Sequence, residues 1–352
     1  MCALKYVGMD VHAATTVVAV RDGRGHLLST STLKTEAGVL RDYVRGLSGQ
    51  VHITFEEGAQ ADWLFDLLSP IAHRVLVCNP RENRSGASRN KNDRIDADRL
   101  CEWLYKGSLK PVYHGERSTR QLEAAVRTYQ CLVADQTRVK NRLKAIFRSQ
   151  AIPVSGERPY HPAHRQLYLA KLDQPGLTQR ARMLGAQLDA LRPLLLEAKR
   201  ALRRHARAHA AYPVLASIPG LGPVRVAALI AAIKTPHRFR RTRQLWAYAG
   251  LAIDTSASSE QEFVDGTLRR RKGAVLTRGL NTNYNRRAKE ALKGAAEAAI
   301  RREFKDLYAA MLAKGIRPQL ATLTVARKIA TLVLTLWKKG ECFDAAKLTT
   351  AQ

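Results

Sequence analysis

Short apolar runs, set off by polar turns and amphipathic stretches, organise the first third of the chain. The runs predict strands over residues 5–11, 16–21, 27–33, 51–55 and 75–78. The amphipathic stretches predict helices over 37–47, 61–68 and 94–106. Gly23 and Gly25 supply a turn between the second and third strands. Farther on the pattern changes. Leu122, Tyr129, Gln136 and Leu143 recur every seven residues, as do Ala125, Leu132, Val139 and Ile146. The device returns with Leu177, Leu184, Leu191 and Ala198 beside Ala181, Leu188, Leu195 and Leu202. Both series predict coiled-coil helices, paired with each other or with a second subunit. Pro153, Pro159, Pro162 and Pro175 mark the stretch between them as a loop or hairpin tip.

Three regions follow: an α/β domain over 1–112, a coiled-coil helical segment over 116–205, and a basic, helix-rich domain over 212–340. In the first, three consecutive strands are followed by helix, strand, helix, strand and helix. That is the order of the RNase H-like (RuvC-like) fold, in which strand ends and the last helix bring acids to one point. The third region opens with Ile218-Pro219-Gly220-Leu221-Gly222-Pro223 ahead of an apolar helix over 224–233. This turn resembles a helix-hairpin-helix, whose backbone N–H groups approach a phosphate. A tight interhelical turn without a ligand accounts for it equally well.

Charge narrows the function. Lys and Arg total 59 against 30 Asp and Glu, a formal net charge of +29. Such an excess favours a polyanionic partner, nucleic acid above all. Cys2, Cys78, Cys101, Cys131 and Cys342 are scattered without a C-x-x-C pair, which argues against a zinc ribbon or a disulfide framework and fits a reducing compartment. The N-terminus lacks an apolar signal core, and the longest apolar stretch, 226–233, falls short of the roughly 20 residues a membrane helix needs. A soluble intracellular (cytoplasmic) protein is the expectation. His161 with His164, and His205 with His209, have metal-compatible spacings, but no acid or cysteine completes either set.

Four acids carry the chemistry. Asp10 ends the run Tyr6-Val7-Gly8-Met9, and Glu56 ends the alternating Val51-His52-Ile53-Thr54-Phe55. Glu57 is a rival to Glu56, which the alternation prefers. Asp93 and Asp96 lie three apart in Lys91-Asn92-Asp93-Arg94-Ile95-Asp96-Ala97, on one helical face. Asp98 falls off that face. Clustered carboxylates repel one another and persist together when hard cations such as Mg²⁺ (or Mn²⁺) bind them. Two such ions clamp the attacking and leaving oxygens of a phosphodiester. Read singly, each acid is equally a turn former or a helix-start charge.

A second constellation follows Tyr248-Ala249-Gly250-Leu251. The serine-rich stretch with Ser256, Ser258 and Ser259 reads as a loop between two basic groups, Arg238, Arg240, Arg241 and Arg243 before it and Arg269, Arg270, Arg271, Lys272 and Arg278 after it. Arginine forks bind phosphate and stabilise the charge that develops as a serine attacks phosphorus. Ordinary solvated turn chemistry is the plainer reading of the serines.

Together these residues resemble the DEDD transposases of the IS-one-ten insertion-sequence family over nearly the whole chain. Tyr6-Val7-Gly8-Met9-Asp10-Val11-His12 is similar to that family's opening strand, Phe55-Glu56-Glu57-Gly58 to its glutamate motif, and Lys91-Asn92-Asp93-Arg94-Ile95-Asp96-Ala97 to its K-x-D-x-x-D-A signature. Ile218 to Pro223 and Tyr248-Ala249-Gly250-Leu251 are similar to its second conserved domain, and position after Gly250-Leu251 makes Ser258 correspond to the nucleophilic serine. Two departures stand out: Ser259 follows where the family usually has glycine, and Ala252-Ile253 replaces the usual proline. The resemblance implies a recombinase with a composite site of DEDD acids and serine. It further implies a structured noncoding guide RNA pairing with donor and target DNA, and a homo-oligomer, dimer or tetramer, assembled through the heptad segments. Two other readings compete. One is a RuvC-like two-metal nuclease that needs no serine. The other is a nucleic-acid-binding scaffold without catalysis.

Overall fold

The apolar runs of the first third form one mixed sheet. The computed structural model describes residues 3–79, 92–113, 117–256, 261–264, 267–270 and 276–345, and the chain divides into two compact units, Met1–His114 and Gly115–Gln352. In the first unit β1 (Leu4–Val11), β2 (Thr15–Asp22) and β3 (Leu27–Lys34) make an antiparallel meander. Then come α1 (Ala37–Gly46), β4 (Gln50–Glu56), α2 (Ala61–Leu68), β5 (Arg74–Cys78) and α3 (Asp93–Tyr105). The strand order is β3-β2-β1-β4-β5, with β1, β4 and β5 mutually parallel. This mixed α/β arrangement is consistent with the RNase H-like expectation.

The pleat divides the sheet's work. Val7, Met9, Ile53 and Phe55 point to one face and bury against Leu40 and Val44 of α1 and Leu64 and Leu68 of α2. Their alternates face α3, where Ala97 and Cys101 pack on Val17 and Ala19. Gly8 makes this contact close. A Cβ there would overlap the Ala97 carbonyl oxygen and the Cys101 amide nitrogen, so the helix backbone lies directly on β1. The Cys101 thiol donates to the Tyr6 carbonyl at 3.1 Å, and burial pushes that thiol up to about 12, which leaves it a structural group.

The second unit is mainly helical. α4 (Arg117–Ser149) and α6 (Pro175–Arg207) run antiparallel. Val139, Leu143, Ile146 and Phe147 meet Ala181 and Leu188 near the tip, while Leu122 and Val126 share a cluster with Leu202 and Ala206 at the base. Every residue of both heptad series is buried or half-buried, so the apolar seams close on each other within one chain. The proline-rich stretch between them is more than a loop. It contains α5 (Pro162–Leu169), started by a proline in the first turn and by His161, whose Nδ1 accepts the Ala163 N–H. Arg165 of α5 is buried and forks onto both oxygens of Asp189 on α6 at 2.8 and 2.9 Å.

Beyond α7 (Tyr212–Ala216), helix α8 (Pro223–Ile233) is buried from Val226 to its end. The turn before it rests on a later helix. Gly220 has φ +77°, and a Cβ there would overlap the Ala295 carbonyl oxygen, so close packing explains this glycine without a ligand. The remaining elements are α9 (Thr242–Tyr248), β6 (Ile253–Ser256), β7 (Gln261–Val264), β8 (Thr267–Arg270), β9 (Leu276–Leu280), α10 (Arg286–Ala299), α11 (Lys305–Ala313) and α12 (Pro318–Lys339). Two small antiparallel ribbons, β6 with β9 and β7 with β8, interrupt the helices. At Ser256 they correct the expectation of a serine-rich loop, since that residue closes a strand. α12 is long and apolar enough to cross a membrane by length and composition alone. Here Val325, Ile329 and Val333 lie in the helical core, so it serves as a core helix.

Candidate metal centre

The site begins with Asp10, one residue before the end of β1. It faces α3 as Gly8 does, two residues back on the same side of the pleat. The chain then turns at His12, whose backbone is held on both sides: its N–H donates to the Thr15 carbonyl, and its carbonyl accepts the Thr35 hydroxyl, each at 2.9 Å. The His12 Nε2 lies 3.2 Å from an Asp10 carboxylate oxygen and 3.6 Å from one of Asp93.

Asp93 opens α3. Asn92 caps that helix, its side chain accepting the Arg94 N–H at 3.1 Å, which fixes where the first turn starts. Asp96 sits one turn further, with an Arg99 guanidinium nitrogen 3.5 Å away. Because Gly8 lets α3 touch the sheet, both acids come within electrostatic reach of Asp10. Burial first, then the negative charges of Asp93 and Asp96, raise the Asp10 carboxyl above its ordinary value, with His12 partly offsetting them. Oxygen or nitrogen atoms of Asp10, His12 and Asp93 all lie within 4.8 Å of one another, the one such grouping of metal-ligating side chains found among the described residues.

Glu56 and Asp96 fall outside that tightest group. Glu56 ends β4, one residue past Phe55, which pairs with Met9. Since Ile53 and Phe55 enter the α1–α2 core, the alternation puts Glu56 on the α3 face, the face of Asp10. Glu57 lies past the strand, its N–H bonded to the Cys78 carbonyl at 2.8 Å. Asp98 is committed elsewhere, taking two guanidinium nitrogens of Arg21 at 2.7–3.0 Å and tying α3 to β2. The oxygen-rich donor set at the strand ends fits a hard divalent cation. Reading the acids alone missed His12, although a histidine two residues past a strand-end aspartate was in plain view.

In the second unit the stretch leading to the serines is firmly anchored. Gly250 has φ +64°, and a Cβ there would overlap the Tyr284 ring. The Asn281 amide nitrogen donates to the Ala247 carbonyl at 3.0 Å, and its backbone N–H to that of Ala252 at 3.1 Å. Arg327 donates to the Leu251 carbonyl at 2.7 Å. The Tyr248 hydroxyl donates to the Ala232 carbonyl at 2.7 Å and accepts from Asn285 at 2.9 Å. Ser258, Ser259, Arg271 and Lys272 lie outside the described residues. Arg269 and Arg270 belong to β8, and Arg278 to β9.

The preceding basic group is divided. Arg240, Arg241 and Arg243 are exposed. Arg238 is exposed too, but it also donates to the Ala232 and Ile233 carbonyls and lies over the Phe239 and Tyr248 rings, so it caps the end of α8. The second histidine pair is likewise local: the His209 Nδ1 accepts the Ala211 N–H at 3.1 Å.

Two family models match the chain. One, described as a transposase of the DEDD, IS110 type, matches residues 7–151 and so takes in all four acids. The other, described as the transposase IS116/IS110/IS902 family, matches residues 212–309. The chain is 24% identical over 274 residues to the transposase for insertion sequence element IS1111A of Coxiella burnetii, covering 76% of this chain and 72% of that one. It is 23% identical over 266 residues to a Pseudomonas aeruginosa protein described as a family 20 transposase, covering 74% and 77%. To the transposase for insertion sequence element IS1328 of Yersinia enterocolitica it is 24% identical over 207 residues, covering 56% and 60%.

Proposed function

Because the chain belongs to the IS110 family of transposases, enzymes that cut and rejoin DNA, we propose that Asp10, Glu56, Asp93 and Asp96 form its metal-holding site and Ser258 its nucleophile. The observation that carries the reading is geometric: donor atoms of Asp10, His12 and Asp93 gather within 4.8 Å of one another, beside an Asp10 carboxyl raised chiefly by burial and further by the charges of Asp93 and Asp96. Mg²⁺ or Mn²⁺ bound there would polarise a phosphodiester and stabilise charge on the attacking and leaving oxygens. The chain's own residues do the rest. Asp10 and Glu56 hold their carboxylates at neighbouring strand ends, while the capped first turn of α3 orients Asp93 and Asp96.

The Ser258 oxygen bonds to phosphorus as the bond from phosphorus to the departing strand's oxygen breaks, and the proton lost by the serine hydroxyl is balanced by one taken up, through water, on that departing oxygen, which leaves as a hydroxyl. Attack on that phosphoserine by a hydroxyl of another strand restores the serine and completes the exchange. Exposed Arg240, Arg241 and Arg243, with Arg269, Arg270, Arg271 and Lys272, would contact DNA phosphates, whereas Arg238 acts mainly by capping α8. The net charge of +29 supports a polyanionic partner set, donor and target DNA together with a structured guide RNA. Assembly as a dimer or tetramer completes the reading. Leu194 and Leu196, 48% and 53% exposed on α6, offer contact area beyond the heptad seams.

A denaturing gel of protein incubated with substrate DNA and divalent metal tests the chemistry. Ser258→Ala is expected to bind DNA yet lose the covalent protein–DNA adduct, while Ser256→Ala and Ser259→Ala keep it. An adduct that persists in Ser258→Ala moves the nucleophile to a neighbouring serine. Cleavage untouched by every serine variant would replace this reading with two-metal hydrolysis.

A further inference from the structure

His12 stands apart from the other histidines described above. His161 and His209 each accept a backbone N–H at a helix start. His12 instead directs Nε2 at carboxylate oxygens from two different elements, Asp10 on β1 and Asp93 on α3. Its place is not left to a floppy loop. The hairpin bond to Thr15 and the Thr35 hydroxyl fix the backbone, and the Thr35 hydroxyl is itself 2.9 Å from that of buried Thr16. Only the side-chain torsions remain to be set.

As a stabilising contact this arrangement has little to offer. The His12 side chain is 51% exposed and that of Asp93 59%, and an ion pair so open to solvent adds little to stability. The spacing has a better explanation. Ligands about 2.1 Å from one cation sit about 3 Å apart when adjacent and about 4 Å apart when opposite. Nε2 lies 3.2 and 3.6 Å from its two carboxylate neighbours, and the three donor atoms all fall within 4.8 Å. A lysine or arginine here would repel a cation, whereas an imidazole nitrogen offers a lone pair without adding negative charge. Four carboxylates already match the charge of two divalent ions.

Resting on the reading of the acids as a metal site, we propose that His12 is a nitrogen ligand of that site, joining Asp10 and Asp93 around one cation. A nitrogen donor among oxygens shifts preference along the divalent series, away from Mg²⁺ and Ca²⁺ and toward Mn²⁺ and later metals. The site would therefore hold Mn²⁺ more tightly than an all-carboxylate site could.

The test is Mn²⁺ binding to the full-length protein, followed by electron paramagnetic resonance with pulsed detection of nitrogen coupling. Wild type is expected to bind Mn²⁺ with coupling to a directly bonded nitrogen. His12→Ala should lose that coupling and bind Mn²⁺ about tenfold or more weakly, with a smaller loss for Mg²⁺ in competition. His12→Gln, which keeps bulk and polarity, should lose the coupling too, so a folding fault in one variant leaves the other to decide. Bound Mn²⁺ without nitrogen coupling in wild type, or coupling that survives in both variants, overturns the role of His12. Asp10→Asn and Asp93→Asn separate the two ideas. If they abolish Mn²⁺ binding while wild type shows no nitrogen coupling, the acid site stands and the His12 ligand falls. If they leave binding unchanged, both fall.

Discussion

At the strand ends of the first unit Asp10, Asp93 and Asp96 crowd one another, and burial with that crowding holds the Asp10 carboxyl above its ordinary range. On the helical hairpin of the second unit, Arg165 meets Asp189 through two hydrogen bonds, and the Asp189 carboxyl falls below its range, chiefly because of those bonds. The same residue type is thus pushed in opposite directions. In the hairpin, charge is answered inside the chain and ties one helix to another. Glu123 behaves similarly, gathering Arg127, Lys234 and Arg287 within 2.6–3.7 Å. At the strand ends, three carboxylates share one neighbourhood with only His12 and Arg99, among the described residues, beside them at 3.2–3.6 Å.

The largest expected effect comes from breaking the support of the acids. Gly8→Ala puts a methyl group into the Ala97 carbonyl and the Cys101 amide, and the helix can yield only by leaving the sheet. A loss of about 3 kcal/mol or more in urea unfolding is expected, since backbone cannot step aside as a flexible side chain can. DNA cleavage should fall with it, because Asp93 and Asp96 ride on that helix. Normal stability in Gly8→Ala would mean that α3 is not held by this contact.

A smaller effect sharpens the other side. Asp189→Asn leaves Arg165 buried with weaker partners and should cost about 1–2 kcal/mol at pH 7, discounted because the carboxylate is partly exposed. The sign with pH follows from linkage. Asp189 titrates lower in the folded protein, so its stabilisation is complete above the unfolded value near 4 and is lost as pH falls through the folded one. The gap between wild type and variant should therefore narrow below about pH 4. Metal binding should stay unchanged. A gap that widens in acid would show that the bridge is not what holds α5 to α6.

The comparison also explains which parts were legible beforehand. Strands and helices of the first unit came out within a residue or two, because period-two and period-3.6 patterns are local and each face has one buried side. The alternation that favoured Glu56 over Glu57 is the pleat that faces it toward α3. Asp98 fell off the shared helical face, and Arg21, 77 residues away, is what engages it. Heptads announced the long helices but left their partner open, and the partner proved to be the other helix of the same chain. Illegible were features made by distant pairing. β6 joins β9 across a gap longer than either strand, so its four residues read as a serine-rich loop. The contacts of Arg238 with the end of α8 were equally hidden, because the carbonyls it meets belong to a helix that had to fold first. His12 meets Asp93 only because α3 folds back over β1.

The most direct test of the central claim is the rate of Mg²⁺-dependent DNA strand cleavage by Asp93→Asn. Thermal unfolding should be recorded on the same protein. Asn keeps the volume of the side chain and the helix start while removing a charged ligand. The account predicts an unchanged unfolding temperature and cleavage reduced by more than about a hundredfold, beyond the ten- to hundredfold typical of outer-shell losses. Cleavage at the wild-type rate in a folded Asp93→Asn protein would contradict it.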